Sequence, residues 1–258
     1  MSNKIKYLIT FTTINRSPKK NYMKTTLNNF FEAVQGYDKN NYKVIIQCSV
    51  CQNNDHIPNI DGVDIFVPEE KQTLNQTSLN VLKKSFDYDY EYLLFCQDDL
   101  DFSNGVLEFL DQWLERVNCD DVPFVALYGN YGQIKKCMDN NKLKWDYPMD
   151  CFYGSLGMLI KKENVIKFAN SFEEHLKNPK DFWGKDYGPL VDWKCFDLWF
   201  PRIFRAIYPE QKHCYATAPC LIQHIGDESS CRGDECKIIR SKSFVKDIPE
   251  DYFQTHSL

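Results

Sequence analysis

The chain has 258 residues and a mass of 30.4 kDa, a size that fits one large domain or two small ones and buries a sizeable core without staples. Hydrophobic residues at 43% and charged residues at 26% exclude disordered and collagen-like classes. A formal net charge of −5 and a pI near 5.6 argue against a general nucleic-acid binder, since neutralising phosphates requires an excess of Lys and Arg.

Lys6 to Thr13 (KYLITFTT) reads as a first strand, too short and too interrupted by threonines for a signal peptide. Asn21 to Gln35 carries Tyr22, Leu27, Phe30, Phe31 and Val34 at helical spacing. Tyr42 to Ser49 is a nearly continuous apolar run, as expected of a strand covered on both faces, and Val63 to Val67 is another, stopped by Pro68. Asn75 to Phe86 reads as a helix, Tyr92 to Cys96 (YLLFC) as a central strand, Val106 to Val117 as a helix and Pro123 to Tyr128 as a further strand. Beyond residue 130 the alternation fades. A strand-like FYGSLGMLI (Phe152 to Ile160) leads into an amphipathic helix to about Leu176, then an aromatic, Pro/Gly-punctuated loop over Asn178 to Pro189. A helix from Asp192 to Ala206 and a strand-like ATAPCLIQH close the pattern. The alternation predicts an α/β domain with a mainly parallel, Rossmann-like sheet flanked by helices. Residues 1–130 and 131–258 form two halves of that one domain. No apolar run reaches the ~18–20 residues that span a bilayer, and the expected setting is cytoplasmic.

Eleven cysteines, an odd number, do not read as a secreted disulfide framework. Cys48 with Cys51, and Cys231 with Cys236, lack the second ligand pair that a structural zinc needs, so reduced, mostly buried thiols are expected.

In parallel sheets ligands bind beyond the carboxyl ends of the strands, which draws attention to Thr12 to Arg16 and to Gln97 to Asp101. In FCQDDLDF, Asp98, Asp99 and Asp101 crowd the end of a buried strand, an arrangement that Mg²⁺ or Mn²⁺ would compensate. The competing reading is a solvated turn with Ser103 capping the next helix. His224 in PCLIQHIGDESS also follows a strand end, and an imidazole joined to carboxylates suits Mn²⁺ better than Mg²⁺. In LVDWKCFDLWF, Asp192 and Asp197 are each placed to serve as a general base.

Together, YLLFCQDDLDFSNGVLEFL, VDWKCFD and CLIQHIGDESS resemble GT-A glycosyltransferases. The likeness is to the N-acetylglucosaminyltransferase IV group above all, with a weaker echo of N-acetylglucosaminyltransferase I. It runs in order from about Lys71 to Cys231, with the first strand and its ITFTTINR loop. The resemblance implies a GT-A fold and a UDP-sugar donor, with the metal held by Asp99, Asp98 and His224. It puts Thr12, Thr13 and Arg16 around the nucleoside, and Asn75, Gln76, Gln97, Asp98, Gly154, Ser155 and Gly157 near the donor. Asp192 matches the family's base and Asp197 is the second candidate. Gln97 stands where the family has an acid, and the Asp192 to Asp197 spacing is one residue longer than in the family's I-D-W-L-L-D. The animal enzymes' Golgi anchor has no counterpart here, which points to a bacterial, viral or other cytosolic setting, and the abundance of Asn, Lys, Tyr and Phe is consistent with a virus or low-GC bacterium.

The function that follows is transfer of a sugar from a nucleotide-sugar to the hydroxyl of a glycan or protein-linked acceptor, with an Asp base and inversion at the anomeric carbon. No nucleic acid is expected as a partner. The alternative is a non-catalytic sugar- or nucleotide-binding protein on the same fold. In either case Trp145, Tyr153, Trp183 and Tyr187 are candidates to stack on sugar rings.

Overall fold

β1 (Ile5–Thr13) is buried from Tyr7 onward because strands flank it on both edges and helices cover both its faces. The computed structural model describes residues 4–13, 22–50, 57–129, 132–152, 156–184, 196–226 and 240–258. The first half runs α1 (Met23–Ala33), β2 (Tyr42–Cys48), β3 (Val63–Phe66), α2 (Leu74–Lys84), β4 (Tyr90–Gln97), β5 (Leu100–Phe102), α3 (Val106–Arg116) and β6 (Val125–Ala126). The second continues with α4 (Gly132–Asp139), β7 (Lys144–Pro148), β8 (Met158–Lys161), α5 (Lys162–Lys177), α6 (Pro179–Trp183), α7 (Phe196–Ile207), β9 (His213–Thr217), β10 (Ile222–His224) and α8 (Tyr252–Thr255).

Both halves build one eight-stranded sheet in the order β3-β2-β1-β4-β8-β6-β9-β7. Strands β1, β2, β3, β4, β6 and β9 share one direction, and β7 and β8 oppose it. This is the mainly parallel α/β domain that the alternation predicts. Period-two burial sorts the core into two layers. Tyr7, Ile9, Phe11, Leu94 and Cys96 face α1 and α3, whereas Leu8, Ile45, Leu93 and Phe95 face α2, α5 and α7. Helix α1 forms because Met23, Leu27 and Phe30 recur on one buried stripe. Helix α2 starts at a capping box in which Thr73 and Gln76 satisfy each other's backbone N–H groups. On α7, Phe200 packs against Phe124, Phe168 and Phe204.

Several expectations need correction. ATAPCLIQH is not one strand: β9 ends at Thr217, and β10 begins at Ile222 in a separate two-stranded ribbon with β5. Pro219, after a cis Ala218–Pro219 bond, lacks the N–H that a ladder needs. The loop expected over Asn178 to Pro189 begins with α6, where Pro179 occupies the first turn that tolerates it. The strand expected over Pro123 to Tyr128 narrows to Val125–Ala126. No periodicity or apolar run marks β5, α4 or β7 in the sequence. β7 is an edge strand whose polar face meets solvent, so its apolar signal is thin.

The described free thiols are Cys48, Cys96, Cys119, Cys137, Cys214 and Cys220, all but Cys137 buried. Cys51, Cys231 and Cys236 lie outside the described residues. Among the described residues no helix is long and apolar enough to cross a membrane. Burial pushes the thiols of Cys48 and Cys220 up to about 11 and that of Cys119 up to about 12, and it raises Cys96 and Cys214 as well. Reactivity belongs to the thiolate. These five cysteines are therefore expected to resist iodoacetamide at pH 8 in the native protein and to label fully in urea, read by peptide mass spectrometry. Native labelling of Cys96 at the unfolded rate would contradict this packing.

Candidate functional site

In the sheet, β1, β2 and β3 follow one another outward from the centre on one side and β4 lies on the other, so the strand order reverses between β1 and β4. Side chains beyond the carboxyl ends of these two strands meet at the crevice where α/β proteins bind ligands. Thr12 sits opposite Gln97 in register. Asp98 and Asp99 follow in a bend and are only 3% and 5% exposed, so the reading of this segment as a solvated turn is wrong. Nor does Ser103 cap α3. Gly105, at φ 71°, precedes that helix, and buried Ser103 donates its Oγ–H to Val245 O at 2.5 Å.

The three carboxylates meet three different fates. Thr13 donates its Oγ1–H to Asp98 Oδ2 at 2.8 Å. Lys246 Nζ lies 2.7 Å from Asp101 Oδ1 and also donates to Phe102 O, which draws Asp101 into a surface ion pair. His224 Nε2 stands 2.8 Å from Asp99 Oδ2. A carboxylate only accepts, so Nε2 carries the proton. The other oxygen, Asp99 Oδ1, is buried with no hydrogen-bond partner among the described residues.

The β5–β10 ribbon makes this pairing. His224 lies opposite Leu100 and Gln223 opposite Asp101, and Ile225 N donates to Asp99 O at 2.9 Å. Gln223 Oε1 accepts from His224 N and Ser241 N, tying β10 to the C-terminal segment. Gly226 must be glycine for a steric reason: a Cβ there would stand 2.8 Å from Asp99 Oδ2.

Other expected residues are placed less directly. Ser49 N donates to Thr13 O, and Gln72 N donates to Ser49 O, which brings the start of α2 to the same edge. Asn75 is buried there, while Gln76 spends its Oε1 on the capping box. Ser49 Oγ, Gln72 Oε1 and Ser78 Oγ are buried without hydrogen-bond partners among the described residues. Gly157 has a packing reason of its own, since a Cβ would meet Ile222 Cδ1 at 2.4 Å. Asp197 occupies the first turn of α7, whose Phe196 stacks on Phe95 of β4 at 5.1 Å. The helix N-terminus favours its ionised form. Arg16, Gly154, Ser155 and Asp192 lie outside the described residues, as do Tyr153 and Tyr187. Trp183 is buried against Trp199, and Trp145 stacks on Tyr147.

Sequence reasoning missed four contributors: Thr26, Tyr128, Gly226 and Lys246. Burial, followed by the charges of Cys220 and Asp99, pushes the Tyr128 phenol up to about 12. Gly226 had a signal, because it stands two residues after His224 in the segment already singled out.

Among the described residues no group of three His, Cys, Asp or Glu side chains gathers as a metal cage. The pair Asp99 and His224 nevertheless fits a divalent cation. A buried carboxylate oxygen is left over while the His224 Nε2–H orients the carboxylate from its other side, and an open carboxylate oxygen suits a hard cation such as Mn²⁺ or Mg²⁺.

No family model and no curated protein matches the chain. Solved structures of S. aureus TarS are similar to 47% of it: the protein itself (14% identity, TM-score 0.35), residues 1–349 with UDP (13%, 0.35) and residues 1–349 with UDP-GlcNAc (15%, 0.36). The matched part spans 21%, 35% and 34% of those chains respectively.

The contact at Gly226 can be measured. Gly226→Ala is expected to cost about 1–3 kcal/mol in urea unfolding, the usual penalty of overpacking. In an Asp99→Ala background, where the opposing oxygen is gone, most of that cost should vanish, giving a coupling of at least ~0.5 kcal/mol. Additive losses would mean that the two residues do not meet.

Proposed function

We propose that the chain is a GT-A glycosyltransferase of the N-acetylglucosaminyltransferase IV kind, moving a sugar from a UDP-sugar to an acceptor hydroxyl. The observation that carries this reading is the buried Asp99–His224 pair at the switch point, with Asp99 Oδ1 left without a partner. A fold free to pair every buried carboxylate oxygen leaves one open at a stability cost, and a ligand that completes it recovers that cost.

In this reading Asp99, with Asp98 and His224, holds Mn²⁺ or Mg²⁺. When bound, the cation would act as a Lewis acid toward the charge growing on a diphosphate leaving group. The chain's own residues do the rest. Thr13 orients Asp98 through its hydroxyl, and the His224 Nε2–H fixes which Asp99 oxygen stays open. Thr12, Thr13 and Arg16 surround the nucleoside. Asn75, Gln76, Gln97, Gly154 and Ser155 line the donor. The half spanning 131–258 presents the acceptor. Asp192 takes the proton from the acceptor hydroxyl as it attacks the anomeric carbon from the side opposite the leaving group, which inverts the configuration, and Asp197 is the second candidate for that role.

The test is nucleotide release from a panel of UDP-, GDP- and dTDP-sugars, with Mn²⁺ or with EDTA. Release from a UDP-sugar that needs Mn²⁺, and falls at least ~100-fold with Asp99→Asn, is the expected result. Asp192→Asn should lose about 100-fold or more in turnover while keeping donor affinity. Nucleotide binding without turnover in any variant would favour the non-catalytic reading. Neither release nor metal-dependent binding would remove the proposal.

A further inference from the structure

Helix α1 carries one buried polar residue whose hydroxyl serves neither the helix nor the core. Thr26 is 0% exposed, on the stripe with Met23, Leu27 and Phe30, where a valine would pack equally well. A helical threonine ordinarily returns its hydroxyl to a carbonyl one turn back. Thr26 instead points out of the helix. Its Oγ1–H donates to Asp98 O at 2.8 Å, and the same oxygen accepts from Leu100 N at 2.9 Å. A hydroxyl has one proton to give and lone pairs to accept with, so both bonds form at once.

Those two peptide groups flank Asp99 on either side. Its own carbonyl accepts from Ile225 N. The backbone of Asp99 is thus held from α1 at its two neighbours and from the end of β10 at its centre. We propose that Thr26 is the positioning residue that fixes Asp99 against His224. The inference deepens the reading of Asp99 and His224 as the cation-binding pair and rests on it for its functional meaning.

Without the hydroxyl, a buried N–H and a buried carbonyl lose their partner together, and the bend must open to satisfy them. The Asp99 carboxylate then leaves His224. A residue that merely fills the core would not affect that contact when replaced by a side chain of equal shape.

Three proteins decide it: wild type, Thr26→Val and Thr26→Ser. Circular dichroism and melting temperature report folding. The His224 Nε2–H resonance in ¹⁵N-edited NMR, and its protection from exchange, reports the bond to Asp99 without any metal. Loss of the free Mn²⁺ signal in electron paramagnetic resonance reports cation binding. Thr26→Val is expected to fold, lose the His224 proton signal and bind Mn²⁺ about tenfold or more weakly, the usual effect of removing a residue that orients a ligand. Thr26→Ser keeps the hydroxyl and should match wild type in both. A Thr26→Val protein that retains the His224 signal overturns the proposal. So does a Thr26→Ser protein that loses it, a result that stands even if the valine variant fails to fold. A wild type that binds no Mn²⁺, while its His224 signal still depends on residue 26, supports the positioning role and removes the cation reading alone.

Discussion

Two carboxylates withdrawn from water at the end of β4 are the constraint around which the rest of the molecule is arranged. An unpaired charge buried in a protein costs several kcal/mol even after relaxation, so each must be compensated locally. Asp98 takes the Thr13 hydroxyl and Asp99 takes His224. Asp101, the third acid of the cluster, is drawn away to Lys246 at the surface. Among the described residues, Asp99 Oδ1 is the oxygen of this acid cluster that is buried without a hydrogen-bond partner.

The second requirement is stiffness. β5 and β10 are three residues each, and a two-stranded ribbon of that length is marginal in water. The C-terminal segment braces it on both sides. Ser103 donates to Val245 O, Asn104 Nδ2 to Asp247 Oδ1, Cys220 N to Ser243 O, and Gln223 Nε2 to Ser241 O. Tyr252 anchors the end of that segment through its hydroxyl on Ala218 O. Residues far from the crevice thus decide how closely His224 and Asp99 are held.

The opposite face of the sheet is set by aromatic packing. Phe95 of β4, Phe168 and Phe172 of α5, and Phe196, Trp199 and Phe200 of α7 stack in one continuous layer. Offset and edge-on ring contacts of this kind add about 0.5–1.5 kcal/mol per pair beyond the area they bury. The layer brings the first turn of α7, and Asp197 with it, to the same end of β4 that carries the acids.

Local periodicity made much of this legible. The apolar runs of β1, β2 and β4 and the helical stripes of α1, α2, α3 and α5 depend on near neighbours in the chain, and so do the acids after YLLFC and the QHIG segment. Those features define the α/β class and mark Asp98, Asp99 and His224. Where the second half departs from expectation, as at β5, β7 and the break at Pro219, the element owes its form to a partner strand rather than to its own pattern. The same holds for the site. How these acids are held depends on contacts between Thr26 and Leu100, Asp99 and His224, and Asp101 and Lys246. These are separated by 74, 125 and 145 residues respectively. Sequence alone determined which acids crowd the strand end, because a strand and the residues that follow it are local. Only the tertiary structure decided how each charge is compensated, because each compensating partner arrives from a distant segment that the folded sheet brings to the same edge.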